Sequence, residues 1–358
     1  MGTRRHPSAA CAYKTPDLGR AVGGPNHRQK LRQGDCAGRA SAGRWCIVTA
    51  MQLNSRFGPH LRLIGMAGVW GASWPAGRII AQSMPPLAGA CLRFVLAALV
   101  LLPWLYASGG MAQLKTWSVQ RWLGMAAAGA TGVFGYAIFF LAGLQHLPAG
   151  KAALVITLIP VMTLLMAAWI FKERLNTTIA GGMLLAVCGA VVVLSHGQPL
   201  QILQGAMGTG ELLILGCVVC WVLYTLIGRW MLTGVDALAA TAVTSTIGAV
   251  LLLMASLVVE GTAGFASALH SGTTAWTALL FLAFGATALA YAWYFEGVKA
   301  LGASAASGYI TLVPLFGVVI AALLLGERLE MSMLVGGAMA IAGTAIMTWG
   351  RSRASTVR

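Results

Sequence analysis

Arg93 stands six residues inside the apolar run 87–106, roughly 9 Å along a helix axis at 1.5 Å per residue. A guanidinium at that depth costs about 2.5–3.5 kcal/mol on insertion scales, so it has to face protein or a watery cavity. Two roles fit: counter-ion for a substrate carboxylate, or a snorkelling or carbonyl-bound arginine that serves the scaffold. Glu296 is the acid placed nearest a helix interior, with Lys299 three residues on. Alone, Glu296 is a candidate proton carrier for coupling; paired at i, i+3 it is structural. Aromatic residues gather in the same runs: Trp70, Trp74, Tyr136, Phe139, Phe140, Trp221, Tyr224, Tyr291, Trp293 and Tyr294. A cavity walled by such rings suits a moderately apolar or zwitterionic solute, although Trp and Tyr also anchor membrane interfaces. The substrate contacts expected from these types are Trp70, Trp74, Arg93, Tyr136, Phe140, Trp221, Tyr224, Tyr291 and Tyr294, with Glu296 as the possible coupling group.

Other chemistry is poorly supplied. "QHLPAGKAA" lacks the first glycine of a phosphate loop and has Ala152 where Ser or Thr should hold magnesium. All six histidines (His6, His27, His60, His146, His196, His270) fall in the N-terminal tail, at helix ends or in loops, with no zinc pair of the H-E-x-x-H kind. Cys217 and Cys220 have redox spacing inside an apolar helix, with no second pair and no thioredoxin-like context. No G-x-S-x-G elbow is present, and neither a ring of charges nor a filter motif suggests a channel. The expectation is no catalytic residue, no metal and no cofactor.

The elements that must position these residues follow from composition. The chain has 358 residues, 58% hydrophobic and 9% charged, with a mean hydropathy of +0.79; soluble domains carry about 25% charged residues. This is an integral membrane protein. Ten apolar runs are long enough, near 63–82, 87–106, 122–144, 152–171, 178–195, 211–232, 237–259, 275–295, 304–325 and 332–349, since about 20 residues cross the hydrocarbon as a helix. A β-barrel would instead show alternating pieces of about ten residues. The expected fold is all-α, with ten transmembrane helices.

With the N-terminus cytoplasmic, eleven Lys/Arg (Arg56, Arg62, Lys115, Arg121, Lys172, Arg174, Arg229, Lys299, Arg351, Arg353, Arg358) fall on the cytoplasmic side against Arg78, Lys151 and Arg328 opposite. That is a positive-inside bias with both termini cytoplasmic. Residues 1–50 hold nine basic and two acidic residues, +7 of the formal +15. They read as a disordered basic tail or a mis-annotated start, with Met51 a natural alternative; the charge is no sign of nucleic-acid binding.

The chain also repeats itself. "PVMTLLMAAWIFKERL" from Pro160 and "PLFGVVIAALLLGERL" from Pro314 lie 154 positions apart. Glu173/Glu327, Arg174/Arg328, Gly182/Gly336, Ala186/Ala340 and Gly189/Gly343 keep that offset; "GAT" at 129–131 returns at 285–287, and Trp70…Arg78 returns as Trp221…Arg229. A five-helix unit, odd in crossings, comes back inverted, the arrangement that gives secondary transporters two near-equivalent states. Pro160 and Pro314 are expected to kink their helices. The Glu-Arg-Leu corners are expected to be structural, each carboxylate near the amides of the next helix. The small residues after them signal close packing or a homodimer contact.

Trp70-Gly71 in the first helix, Arg93-Phe94 in the second, and P-x12-E-R-L closing the fourth and ninth resemble the EamA-type branch of the drug/metabolite transporter superfamily, over residues 60–350. That resemblance implies a ten-helix carrier of the inner membrane exporting amino acids or related small metabolites. The units are 1–50, a first repeat 60–196 and a second repeat 209–350. The partners expected are a small-molecule substrate and the bilayer. The rival reading is a non-transporting membrane protein, an intramembrane enzyme or a scaffold.

Overall fold

A computed structural model describes residues 58–172, 175–200, 207–231 and 234–356; the basic tail, Met51 and the Glu173-Arg174 corner lie outside them. The described residues are helical. In chain order the long helices are α1 (Gly58–Ser83), α2 (Pro86–Ala107), α3 (Val119–His146), α4 (Ala149–Phe171), α5 (Thr177–Leu194), α6 (Thr209–Met231) and α7 (Ala237–Val259). Three more follow: α8, running through Thr273–Leu280, Phe281–Leu289 and Ala290–Leu301; α9, running through Ala303–Gly308, Tyr309–Leu312 and Val313–Leu325; and α10 (Met331–Thr356).

Among the described residues, nine helices, α2 to α10, are long and apolar enough to cross a membrane. The exception is α1. Its 26 residues suffice in length, but Arg62, Arg78, Pro75 and a scatter of glycines dilute its hydropathy. Its packing explains why it needs no lipid-facing coat, since it touches α2, α3, α4, α8 and α9 at once.

Local chemistry sets the starts of the helices. Pro85 and Pro86 fix the first turn of α2, where the missing N–H costs nothing. Asn176 caps α5 by accepting from the Ile179 amide at 2.8 Å, and Asp236 caps α7 through Leu238 and Ala239. Two helices contain a π-helical stretch, Gly129–Gly135 in α3 and Phe281–Leu289 in α8. Each contains one of the two Gly-Ala-Thr copies, and such turns mark functional sites more often than chance.

Helices α4 and α9 are broken in the same way. A proline at 160 has no N–H for the Ile156 carbonyl, which accepts from Ile159 instead at 2.9 Å. At 314 the Ile310 carbonyl accepts from Val313. Thr157 Oγ1 donates to Leu154 O at 2.6 Å and Thr311 Oγ1 to Gly308 O at 2.7 Å. Both prolines sit in the first turn of the second helical piece, where proline is tolerated. The echo thus begins at Ile-Thr-Leu, four residues before the prolines.

The small residues of α5 and α10 face each other inside the chain. A Cβ on Gly189 would lie 2.4 Å from Ala340 N, and one on Gly336 2.6 Å from Gly189 O; Gly182 meets Gly343 O at 2.7 Å, and Gly343 meets Ala186 N at 2.4 Å. The pairing runs antiparallel and is reciprocal. A homodimer would have to use other faces.

Successive helices reverse direction, which gathers the polar groups at two ends. At one, the carboxylate end, Glu260 takes the Leu87 and Ala88 amides at 2.8 Å each, and Glu327 takes those of Ala149 and Gly150 at 2.7 and 2.9 Å. At the other, Arg62 meets Glu296, His60 meets Tyr309, and Gln113 reaches Gly234.

Candidate substrate site

Arg93 is half-buried on α2, between the buried Ala90, Cys91, Phe94 and Ala97. Its guanidinium carbon sits 4.8 Å from the centroid of the Phe94 ring and 5.9 Å from that of Phe140. Its Nε is buried and has no hydrogen-bond partner among the described residues. The ion pairs found there are Arg62–Glu296, Arg78–Glu327, Lys151–Glu211 and His196–Glu330, and none includes Arg93. A cation is thus held inside the bundle against aromatic faces and without a carboxylate.

The rings come from α1, α3, α6 and α8, and they form two strings, one of which passes 5.9 Å from the Arg93 guanidinium at Phe140. In one, Trp74 lies edge-on to Phe140 at 5.1 Å, Phe140 stacks with Tyr136 at 5.9 Å, and Trp221 lies 5.4 Å from both Tyr136 and Tyr224. In the other, Trp70 lies 5.3 Å from Tyr291 and 5.8 Å from Tyr294. Glycines make room for them. A Cβ on Gly77 would lie 2.4 Å from the Phe140 ring, and one on Gly132 2.4 Å from that of Tyr224.

The π stretch of α8 supplies an acceptor, because Trp70 Nε1 donates to Ala286 O at 2.9 Å. Thr244, which the 151-residue offset of Trp70 and Trp221 pairs with Arg93, donates its hydroxyl to the Ala240 carbonyl at 2.7 Å. The nine residues expected from sequence as substrate contacts fall in these two ring groups and at Arg93, which the first group approaches through Phe140. Phe139 and Trp293 instead pack on neighbouring helices, against Gly216 and Gly65.

Glu296 stays outside this cluster. It is exposed and pairs with Arg62 of α1 at 2.6 Å; the i, i+3 neighbour suggested by sequence, Lys299, has its side chain outside the described ones. The Glu-Arg-Leu corner at 327 also differs from expectation. Glu327 serves the amides of α4 rather than those of the helix that follows it, and it lies 3.5 Å from Arg78 Nε. Arg78 also donates to the Leu144 and Leu147 carbonyls.

A network missed in the sequence runs from Glu211 through Lys151 and His196 to Glu330. Each member stands at a helix end, where loop residues gave no signal. A separate cavity of about 140 Å³ is lined by Thr163, Leu164, Ala167, Thr225, Leu226, Arg229 and Arg351 and shares no residue with the aromatic cluster.

What this geometry can do is bind an anionic group at Arg93 and lay apolar or cationic groups against ring faces. Comparison with known proteins gives a context. The EamA-like transporter family matches at residues 59–195 and again at 208–349. An "Uncharacterized transporter YyaM" of Bacillus subtilis is 29% identical over 286 residues, 79% of this chain and 91% of that one. A "Probable amino-acid metabolite efflux pump" of Salmonella typhimurium is 29% identical over 290 residues, 79% and 92%. A "Probable terminal-alkyne amino-acid exporter" of Streptantibioticus cattleyicolor is 31% identical over 234 residues, 64% and 75%. A crystal structure with 20% sequence identity superposes with a TM-score of 0.56 over 82% of this chain and 98% of that one, a likeness of fold alone.

Proposed function

The chain belongs to the EamA-like transporter family, and we propose that it is a secondary carrier exporting amino acids or related carboxylate-bearing metabolites across the inner membrane by alternating access. The observation that carries the substrate class is Arg93, a half-buried cation with an unserved Nε, set among aromatic faces and lacking a carboxylate partner among the described residues. A substrate carboxylate supplies the missing anion, and a bidentate guanidinium contact would orient it. Trp70, Tyr291 and Tyr294 on one side and Tyr136, Trp221 and Tyr224 on the other then take the apolar part or an ammonium group. Two relatives named for amino-acid export favour the same class.

The transport cycle rests on two inverted five-helix halves, 60–196 and 209–350, with α1 counted as the first of ten crossings. The 154-residue offset supports this division, since it recurs in the paired breaks at Pro160 and Pro314 and in the matching threonine bonds. The reciprocal antiparallel contact of α5 with α10 is what a two-fold relation between halves requires. The broken helices provide hinges beside the site. Both termini face the cytoplasm on the charge bias above, which makes the carboxylate end the outer one.

The test is uptake of a pool of radiolabelled amino acids by proteoliposomes of the full chain, with Arg93→Ala and Arg93→Lys beside it. Saturable uptake that falls at least about tenfold in Arg93→Ala, the worth of one charge-assisted hydrogen bond, and returns in part with Arg93→Lys is the expected result. Uptake unchanged in Arg93→Ala sinks the carboxylate role, and no uptake of any member sinks the substrate class.

A further inference from the structure

Among the described residues Lys151 is the largest fully buried side chain, 2% exposed, and it sits in the first turn of α4. Its Nζ lies 2.6 Å from Glu211 Oε1 on α6 and 2.8 Å from His196 Nε2 at the end of α5. His196 Nδ1 lies 2.8 Å from Glu330 Oε2, in the corner between α9 and α10. An ammonium only donates, so Nε2 presents its lone pair to Lys151 and Nδ1 carries the hydrogen given to Glu330. The imidazole is therefore neutral, and Glu211, Lys151 and Glu330 leave the network with one net negative charge.

Other charged or titratable groups stand around it, among them the exposed Arg328 two residues before Glu330. Arg78 and Glu327 pair with each other, and the exposed His146 lies beside the start of α6. His196 is 55% exposed, so water reaches the ring although Lys151 behind it is dry. Its backbone is held in the left-handed region at φ 51°, which commits the residue to this orientation against its ordinary preference.

We propose that this network is a proton-binding site, and that protonation of His196 at Nε2 releases the first turn of α4 from the α9–α10 corner. A proton on Nε2 sets donor against donor and cation against cation at 2.8 Å, so the Lys151–His196 bond breaks. The bond to Glu330 survives as an ion pair, and the network becomes neutral. Among the described residues two polar links tie α4 to that corner, this one and the Glu327 carboxylate on the Ala149 and Gly150 amides; protonation cuts the first. The turn thus loosened lies one helical piece before the break at Pro160. That the same proton drives export, entering at the end opposite the cytoplasm, rests on the carrier reading above; the protonation and the release do not.

The experiment is amide hydrogen exchange of the full chain in nanodiscs between about pH 5 and 8, where imidazole side chains change charge, corrected for intrinsic rates. The expected result is a loss of protection of about tenfold in the 149–155 segment as the pH falls, corresponding to one charge-assisted bond. His196→Gln keeps both hydrogen bonds, because its amide oxygen accepts from Lys151 and its NH2 donates to Glu330, yet it does not titrate. Its 149–155 segment stays protected throughout. Glu330→Gln, which leaves the ring titratable but removes the anion, moves the loss of protection to lower pH.

The same pH dependence in His196→Gln as in the natural chain, or none in either, overturns the proposal. Uptake read in parallel separates the two ideas. PH-dependent uptake made pH-independent by His196→Gln supports coupling, whereas an intact exchange response with no uptake overturns the carrier reading and leaves the proton site standing.

Discussion

Arg93 and Lys151 are both cations placed away from water, and their surroundings are opposite. Lys151 is matched by Glu211 and by the His196 lone pair, so removing it strands a carboxylate; breaking a pair in such a place costs about 3–5 kcal/mol. Arg93 has no carboxylate among the described residues, so replacing it removes a desolvated charge and strands nothing. Lys151→Met is therefore expected to lower the melting temperature of the purified protein sharply, while Arg93→Met leaves it unchanged or raises it, even though uptake is lost. Equal destabilisation by both would mean that Arg93 is a scaffold residue after all. Sequence gave Arg93 away because a charge inside an apolar run must be explained. Lys151 stands at a helix end, where a charge needs no explanation, and its partners lie 45 and 60 residues further along the chain. Glu296 shows the same limit: helical spacing points to Lys299, three residues on, and says nothing of Arg62, a partner 234 residues away. Local spacing ranks neighbours on one helix and is silent about the next.

At the scale of the helices, the most demanding contact is the one between α5 and α10. A Cβ on Gly189 would come within 2.4 Å of a backbone nitrogen and 2.5 Å of a backbone oxygen, and backbone cannot rotate aside. Gly189→Ala is expected to cost about 1–3 kcal/mol through overpacking. Gly181→Ala, where nothing lies within 4 Å, should be neutral or stabilise by about 0.5–1 kcal/mol, as alanine does in a helix. Thermal melts of the two variants decide it, and a stable Gly189→Ala would separate the helices. The 154-residue echo made this stripe visible before any coordinates, and hydropathy located nine of the helices within a few residues. The π stretches in α3 and α8 were not legible, since a π turn differs from an α turn by one residue and leaves no compositional trace. The burial of α1 was not legible either. Its run counts in the sequence as one of ten equal apolar spans, whereas its glycines and tryptophans touch five other helices.

Across the whole molecule the two ends are held unequally. At the carboxylate end Glu211, Glu260, Glu327 and Glu330 each link separate helices. At the opposite end, beside the His60–Tyr309 and Gln113–Gly234 hydrogen bonds, the ion pair Arg62–Glu296 lies in the open, its members 28% and 53% exposed, where such a pair contributes about 0–1 kcal/mol. This conformation is therefore fastened at the carboxylate end, and acid is what unfastens it. The hydrogen bond from His196 holds the Glu330 carboxyl below the ordinary glutamate value of 4.5. A depressed acid stabilises the fold above its unfolded value and loses that contribution as the pH falls through the folded one. The melting temperature should accordingly drop below about pH 4.5, and Glu330→Gln should remove part of that drop while lowering stability at neutral pH. Which side of the membrane the fastened end faces follows from the basic residues, eleven of which favour the other end against three. In a cysteine-free background, Gly197→Cys at the carboxylate end should react with a membrane-impermeant maleimide in intact cells, and Ser118→Cys at the opposite end should react only after permeabilisation. The reverse pattern would turn the carrier over in the membrane, put the His196 network in the cytoplasm, and make a proton entering from outside the wrong driving force for export.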